Sequence, residues 1–161
     1  MKNNNTLPLP DVGGPDLHVV FIFGTMKQGY PNFKTNQGAR IAGDYITSQK
    51  YPLYLVGERH SPWLIDSPGQ GNRIHGQLFK VSSQTLEKMD KLERIEEIDG
   101  YRRVIIEVEN TVDSVVSEAF VYIKRNDQIA AEEIKIGPIS RYEDRHAQMY
   151  RARSFQPVDA K

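Results

Sequence analysis

The chain has 161 residues, 39% hydrophobic and 26% charged, enough for one domain whose core needs no metal or disulfide to hold it. Its 21 Lys and Arg balance 21 Asp and Glu, which argues against a general nucleic-acid binder or a polybasic membrane anchor, since both need excess cations. Cysteine is absent, so disulfides, thiolate metal sites and cysteine nucleophiles are excluded.

Residues 1–16 carry Asn3-Asn4-Asn5, three prolines and Gly13-Gly14 and read as a flexible leader. The first ten residues have no apolar signal-peptide core, and no apolar run approaches the roughly 20 residues of a membrane span. A cytoplasmic protein is expected. His18–Phe23 is a nearly continuous apolar run of the kind found in a strand buried on both faces. Residues 24–38 read as a loop, followed by strands at Arg40–Ile46 and Tyr51–Val56. After Pro62-Trp63-Leu64-Ile65 comes a turn cluster, Ser67–Asn72, and then a strand at Ile74–Val81.

Ser82–Glu93 is the clearest helix, with Ser82 as N-cap and Val81 and Leu86 as a hydrophobic staple. Strands return at Tyr101–Val108 and Glu118–Lys124, separated by a polar turn around Asn110–Ser117. The segment from Gly137 is rich in Arg and Tyr and reads as solvated. With no internal repeat and no second core, a single α+β domain is expected over residues 17–155, with a flexible tail at 156–161.

Two places could carry chemistry. At about 100° per residue, Leu86, Met89 and Leu92 define an apolar arc of the helix, with Glu87, Lys88 and Lys91 opposite. Glu93 projects inside the apolar arc and Asp90 onto its edge. A carboxyl facing the core is costly when ionised, and burial raises its pKa towards the range useful for proton transfer. Equally, a residue at the end of a helix can fray into solvent, and the projection leaves both placements open. Glu96, Glu97 and Asp99 read as an exposed acidic loop. The second place is Phe23-Gly24-Thr25-Met26-Lys27 after the first strand. Gly24 permits close backbone approach, and successive N–H groups at a strand end can cradle a carboxylate, although such a Gly-Thr pair is more often a plain turn.

Other patterns carry less. His18, His60, His75 and His146 lack metal-ligand spacing. Gly69-Gln70-Gly71 lacks the context of a dinucleotide fingerprint, and no nucleophile elbow is present. Trp63 reads as a core residue. No metal or cofactor is indicated, and oligomeric state has no signature in the sequence.

Taken together, residues 19–32 (VVFIFGTMKQGYPN) resemble the glycine-rich signature of the γ-glutamyl cyclotransferase superfamily, usually Phe-Val-Tyr-Gly-Thr-Leu-Lys-x-Gly-x-x-Asn. Tyr51-Pro52-Leu53, Gly57-Glu58 and Pro62-Trp63-Leu64 resemble its γ-glutamylamine cyclotransferase (AIG2-like) branch. His75-Gly76-Gln77-Leu78-Phe79 looks like the family's Glu-Gly-Glu-Val-Tyr strand. Leu86, Met89-Asp90 and Glu93, followed by Tyr101 and Arg103, match its Leu-x-x-Leu-Asp-x-x-Glu…Tyr-x-Arg block. The likeness runs from about residue 18 to 124, with a looser echo in Tyr142 and Tyr150.

The resemblance implies a mixed β-sheet or barrel-like core flanked by one or two helices, with an active cavity beside the loop after the first strand. It implies Glu93 as catalytic acid/base, and Phe23, Gly24, Thr25 and Met26 as binding residues. The implied partner is a small-molecule γ-glutamyl amine, cyclised without a cofactor to 5-oxoproline and a free amine; neither nucleic acid nor membrane is a partner. The family usually has Tyr where this chain has Phe23, and Tyr122 could supply a substitute hydroxyl. The competing expectations are a non-catalytic binding module with the same fold, and an RNA-contacting protein using the Arg/Tyr tail.

Overall fold

The computed structural model describes residues 17–153; the expected leader at 1–16 and tail at 156–161 lie outside them. Five strands close into a barrel in the order β1-β5-β2-β6-β7: β1 Leu17–Ile22, β2 Ala39–Tyr51, β5 Asn72–Ser82, β6 Arg102–Asn110 and β7 Val116–Ile123. Barrel neighbours are antiparallel except β1 and β7, which run parallel through Val20 and Phe120. A second sheet, β4-β3-β8, is built from β3 Leu53–Val56, β4 Ser61–Leu64 and β8 Ile134–Ile136. Helix α1 is Ser83–Glu93 and α2 is Asp144–Ala147. The expected α+β, barrel-like class is the observed one.

The apolar run at the start explains itself in this frame. Phe21 and Phe23 point into the barrel with Ile74, Leu78, Ile106 and Val121. Val20 and Ile22 point outward into a second core with Phe79, Val81, Leu86, Met89, Tyr101 and Tyr122. Both faces of β1 are therefore dry, so the usual polar alternation is missing.

The second strand differs from the expectation. It runs unbroken from Ala39 to Tyr51 and is interrupted only at Pro52, where the chain leaves for the other sheet. Its register slips between Ile41 and Tyr45 and again between Ile46 and Lys50, and Gly43 has φ 106°. Such bulges bend a strand around a barrel. The stretch Thr47-Ser48-Gln49-Lys50 looks like loop because it is polar. Thr47 is nevertheless fully buried, its Oγ1 donating to the Gln49 carbonyl at 2.6 Å and accepting from the Ile74 amide at 2.8 Å.

Helix α1 begins as its sequence requires. The Ser82 hydroxyl accepts from the Thr85 amide at 3.1 Å, and Val81 and Leu86 are both buried. Its end is the part that matters for the site. Arg94 adopts φ 57°, ψ 46° and closes a Schellman motif: the Arg94 amide donates to the Lys91 carbonyl at 3.1 Å and the Ile95 amide to the Asp90 carbonyl at 3.2 Å. The Tyr101 amide then donates to the Glu93 carbonyl at 3.0 Å. The last turn is thus pinned from outside, and Glu93 does not fray.

The segment from Gly137 is not the solvated tail that its Arg and Tyr content predicts. Tyr142 is fully buried and His146 nearly so. The Lys27 ammonium donates to the Tyr142 carbonyl and sits 4.4 Å from the Tyr30 ring centre. The Arg151 amide donates to the Arg59 carbonyl at 2.9 Å. Backbone acceptors and aromatic faces, spread over three distant parts of the chain, hold this strap down. Among the described residues no helix is long and apolar enough to cross a membrane.

Candidate functional site

The end of β1, the end of α1, β4 and the strap converge on an open pocket of about 350 Å³. Six residues singled out from the sequence line it, Phe23, Gly24, Thr25, Met26, Glu93 and Tyr122, while Lys27 and Asp90 do not. The two places read separately along the chain are therefore one place in the fold.

The Gly24 loop presents backbone rather than side chains. Phe23, Gly24, Thr25 and Met26 are all buried, yet the amides of Gly24, Thr25 and Met26 donate to no protein acceptor among the described residues. Buried N–H groups are rarely left without a partner, and successive free N–H groups beside a cavity are the kind of donor set that can meet an anion. Gly24 also packs close to β4, where a Cβ would lie 3.0 Å from Pro62 Cγ. The loop is braced by Asn32, whose amide donates to the Thr25 carbonyl at 2.7 Å and whose side chain donates to Thr25 Oγ1 at 2.8 Å and Tyr150 Oη at 3.1 Å.

Glu93 forms no ion pair among the described residues. The guanidinium that could have neutralised it, on Arg103, binds Asp90 instead, and Asp90 also accepts from the Tyr122 hydroxyl at 2.6 Å. Glu93 keeps part of its surface, while the packing around its carboxyl raises its pKa from the usual 4.5 to about 7. Lys124, Arg153 and Arg59 oppose that rise through their positive charge, and Asp90 adds to it. A carboxyl poised near neutrality in a pocket can take and return a proton at physiological pH.

Burial raises the Tyr122 hydroxyl well above the ordinary tyrosine range, and its bond to Asp90 adds to that. It stays a neutral donor to Asp90. Tyr101 is likewise raised by burial and then by the Glu93 charge; its hydroxyl donates to the Pro62 carbonyl at 2.9 Å.

Sequence reasoning missed several residues here. Arg59, Ser61, Tyr101, Tyr150 and Arg153 line the pocket, and Lys124 stands behind it as the strongest cation acting on Glu93. The Lys124 ammonium is sandwiched 4.1 Å from the Trp63 ring centre and 4.5 Å from that of Tyr101, and burial lowers its pKa to about 8. Trp63 is thus core on one side and a platform for a cation on the other. We expect Lys124→Met to move the Glu93 titration to higher pH by about one unit. A carbon-detected titration of the Glu93 carboxyl reads this directly; an unmoved or lowered midpoint would remove Lys124 from the site's electrostatics. Glu96, Glu97 and Asp99 are exposed, as their sequence implies, and among the described residues no group of three His, Asp or Glu could hold a metal ion.

The family model described as "Gamma-glutamyl cyclotransferase, AIG2-like" matches residues 20–144. Gamma-glutamylaminecyclotransferase B of Danio rerio is 35% identical over 114 residues, covering 66% of this chain and 59% of the relative. The chain's match thus spans less than two thirds of that relative's length. Gamma-glutamylaminecyclotransferase C of the same fish is 32% identical over 118 residues, covering 68% of this chain and 76% of the relative. The crystal structure of an AIG2-like protein from Mus musculus superposes with a TM-score of 0.72 at 25% identity, covering 88% of this chain and 99% of that one.

Proposed function

The chain belongs to the γ-glutamyl cyclotransferase, AIG2-like family, and from that premise we propose that it is an enzyme cleaving γ-glutamyl amines by internal cyclisation. The observation that carries this reading is the meeting, in one pocket, of three amides at Gly24–Met26 and a Glu93 carboxyl that have no protein partner among the described residues, the carboxyl's pKa raised to about 7.

A γ-glutamyl amine carries an α-carboxylate, an α-ammonium and a γ-amide. The amides of Gly24, Thr25 and Met26 hold the α-carboxylate and so fix the folded conformer in which the α-nitrogen faces the γ-carbonyl. Fixing that conformer supplies much of the rate, since ring closure is a matter of orientation. Glu93, as carboxylate, takes a proton from the α-ammonium. The freed nitrogen attacks the γ-carbonyl carbon, a carbon–nitrogen bond forms, and charge develops on the carbonyl oxygen. Glu93 returns that proton to the departing nitrogen as the original amide bond breaks, and the second proton the attacking nitrogen sheds on becoming the lactam N–H ends on the released amine, which leaves as an ammonium. The products are 5-oxoproline and the free amine, with no net proton and no water consumed. This is acyl transfer within one molecule, formally a carbon–nitrogen lyase reaction, and the protein's residues complete its proton balance without a cofactor.

A panel of γ-glutamyl amines differing in the amine part tests the reading. Release of 5-oxoproline, measured chromatographically, is expected from at least one of them at a rate well above the uncatalysed one. Tight binding of the whole panel without 5-oxoproline release would contradict the enzymatic reading.

A further inference from the structure

The pocket's charge does not match the glutamyl group alone. Five cationic residues, Lys34, Arg59, Lys91, Arg94 and Arg153, line it against the single carboxyl of Glu93, in a chain whose formal net charge is zero. Arg94 is satisfied by Asp99 at 2.8 Å, and Lys34 and Lys91 are exposed to water. Arg59 and Arg153 are different. Both are partly buried, and neither joins an ion pair among the described residues. Burial and then the neighbouring Arg59 charge lower the pKa of Arg153, as a like charge nearby does.

Their placement is built rather than incidental. The Arg151 amide donates to the Arg59 carbonyl at 2.9 Å, and Arg59 Nη1 donates back to the Arg151 carbonyl at 3.2 Å. The Arg59 guanidinium also lies 5.8 Å from the Tyr150 ring centre. This reciprocal clamp brings the strap, and Arg153 with it, against the turn that carries Arg59. Arg153 lies beyond residues 20–144, the span of the family match.

Two guanidinium groups that act on Glu93 only through their charge and join no ion pair among the described residues are poised for an anion, which Arg binds through paired N–H bonds. That anion is not the glutamyl α-carboxylate if the three amides at Gly24–Met26 take it. Nor do two cations favour a site for the substrate's α-ammonium. What is left of the substrate is the amine part. Resting on the cyclotransferase reading above, we infer that Arg59 and Arg153 form a subsite for an anionic group on the leaving amine, so the substrates are γ-glutamyl conjugates of carboxylate-bearing amines. They act as specificity residues that hold the far end of the substrate.

The test uses three conjugates of matched length, γ-glutamyl-5-aminopentanoate, γ-glutamyl-pentylamine and γ-glutamyl-1,5-diaminopentane, with negative, neutral and positive leaving amines. The wild-type protein is expected to favour the carboxylate over the neutral compound in kcat/KM by about 10-fold or more, the worth of a charge-assisted pair. Arg153→Gln is expected to erase most of that ratio, Arg153→Lys to retain part of it, and Arg153→Glu to shift preference to the positive compound. Equal wild-type rates on all three would overturn the subsite. So would an Arg153→Gln variant in which every compound slows alike and the ratio stands, since the pair would then serve the glutamyl group or Glu93. If no compound is turned over, the cyclotransferase reading fails separately. Calorimetric Kd values for the same three compounds then decide the subsite: tighter binding of the carboxylate, lost in Arg153→Gln, supports it, and equal binding contradicts it.

Discussion

Glu93→Gln is expected to lower kcat/KM for 5-oxoproline release by at least about 10²-fold while making the folded protein more stable. Glutamine keeps the size and the hydrogen-bonding shape of the side chain but cannot carry the proton between the two nitrogens, and loss of a positioned acid/base typically costs about 10²- to 10⁴-fold. The opposite sign in stability comes from the same burial. The folded state raises the Glu93 pKa from 4.5 to about 7, so the folded state holds the proton more tightly than the unfolded chain does. Its contribution is most favourable below about pH 4.5, declines as pH rises towards 7, and is flat above that. A shift of this size corresponds to about 3 kcal/mol. Urea unfolding should therefore show the Gln variant more stable than wild type by up to about that amount at pH 8, with the advantage shrinking as pH falls from about 7 and gone below about 4.5. Wild-type activity should rise with pH through about 7, as the carboxylate fraction grows. A variant that lost activity by misfolding would show lower stability instead, and equal rates for the two proteins would take Glu93 out of the mechanism.

The second large effect belongs to Gly100, which touches no substrate. A Cβ there would lie 1.7 Å from the Arg94 carbonyl oxygen, a clash with backbone that no rotamer change relieves. The Arg94–Tyr101 loop is what pins the end of α1: the Glu97 amide donates to the Arg94 carbonyl at 2.9 Å, the Gly100 amide to the Glu97 carbonyl at 3.0 Å, and Tyr101 closes onto Glu93. Gly100→Ala forces this loop open and releases Arg94 from its left-handed conformation. Overpacking against fixed atoms costs about 3 kcal/mol or more, which for a domain of this size is roughly a 10 °C fall in Tm. Because the same loop sets the direction of Glu93, the protein that remains folded should also lose activity. Calorimetry and 5-oxoproline release at 20 °C read the two effects; a Tm within about 2 °C of wild type would mean that the loop is not the constraint described.

Much of this was legible along the chain, and the limits of what was legible are physical. The N-cap of α1 and its staple are local, so Ser82, Val81 and Leu86 announce them. The inward position of Glu93 was visible as a phase on a helical projection, but its fixity was not. A helix usually ends with glycine in the left-handed position, and here Arg94 occupies it, which hides the Schellman motif from a reader looking for Gly. The release of Glu93 from Arg103 depends on Asp90 taking that guanidinium, a choice between two carboxylates one helical turn apart that spacing alone does not make. The strap was misjudged because its anchors are far away in sequence. Lys27 meets Tyr142 across 115 residues, and Arg59 meets Arg151 across 92. An Arg- and Tyr-rich segment looks solvated until those partners are known. Strand β8 has only three residues, too few for alternation to register.

The account as a whole requires that backbone N–H groups at Gly24–Met26 grip the ligand's carboxylate while Glu93 reaches the nitrogen that reacts. A crystal structure of the protein with 5-oxoproline measures both at once. The expected result has the product's carboxylate oxygens within about 3 Å of those amide nitrogens and the lactam nitrogen within hydrogen-bond reach of the Glu93 carboxyl, directly or through one water. Product seated with its carboxylate on Arg59 and Arg153, or with Glu93 facing away from the ring, would contradict it.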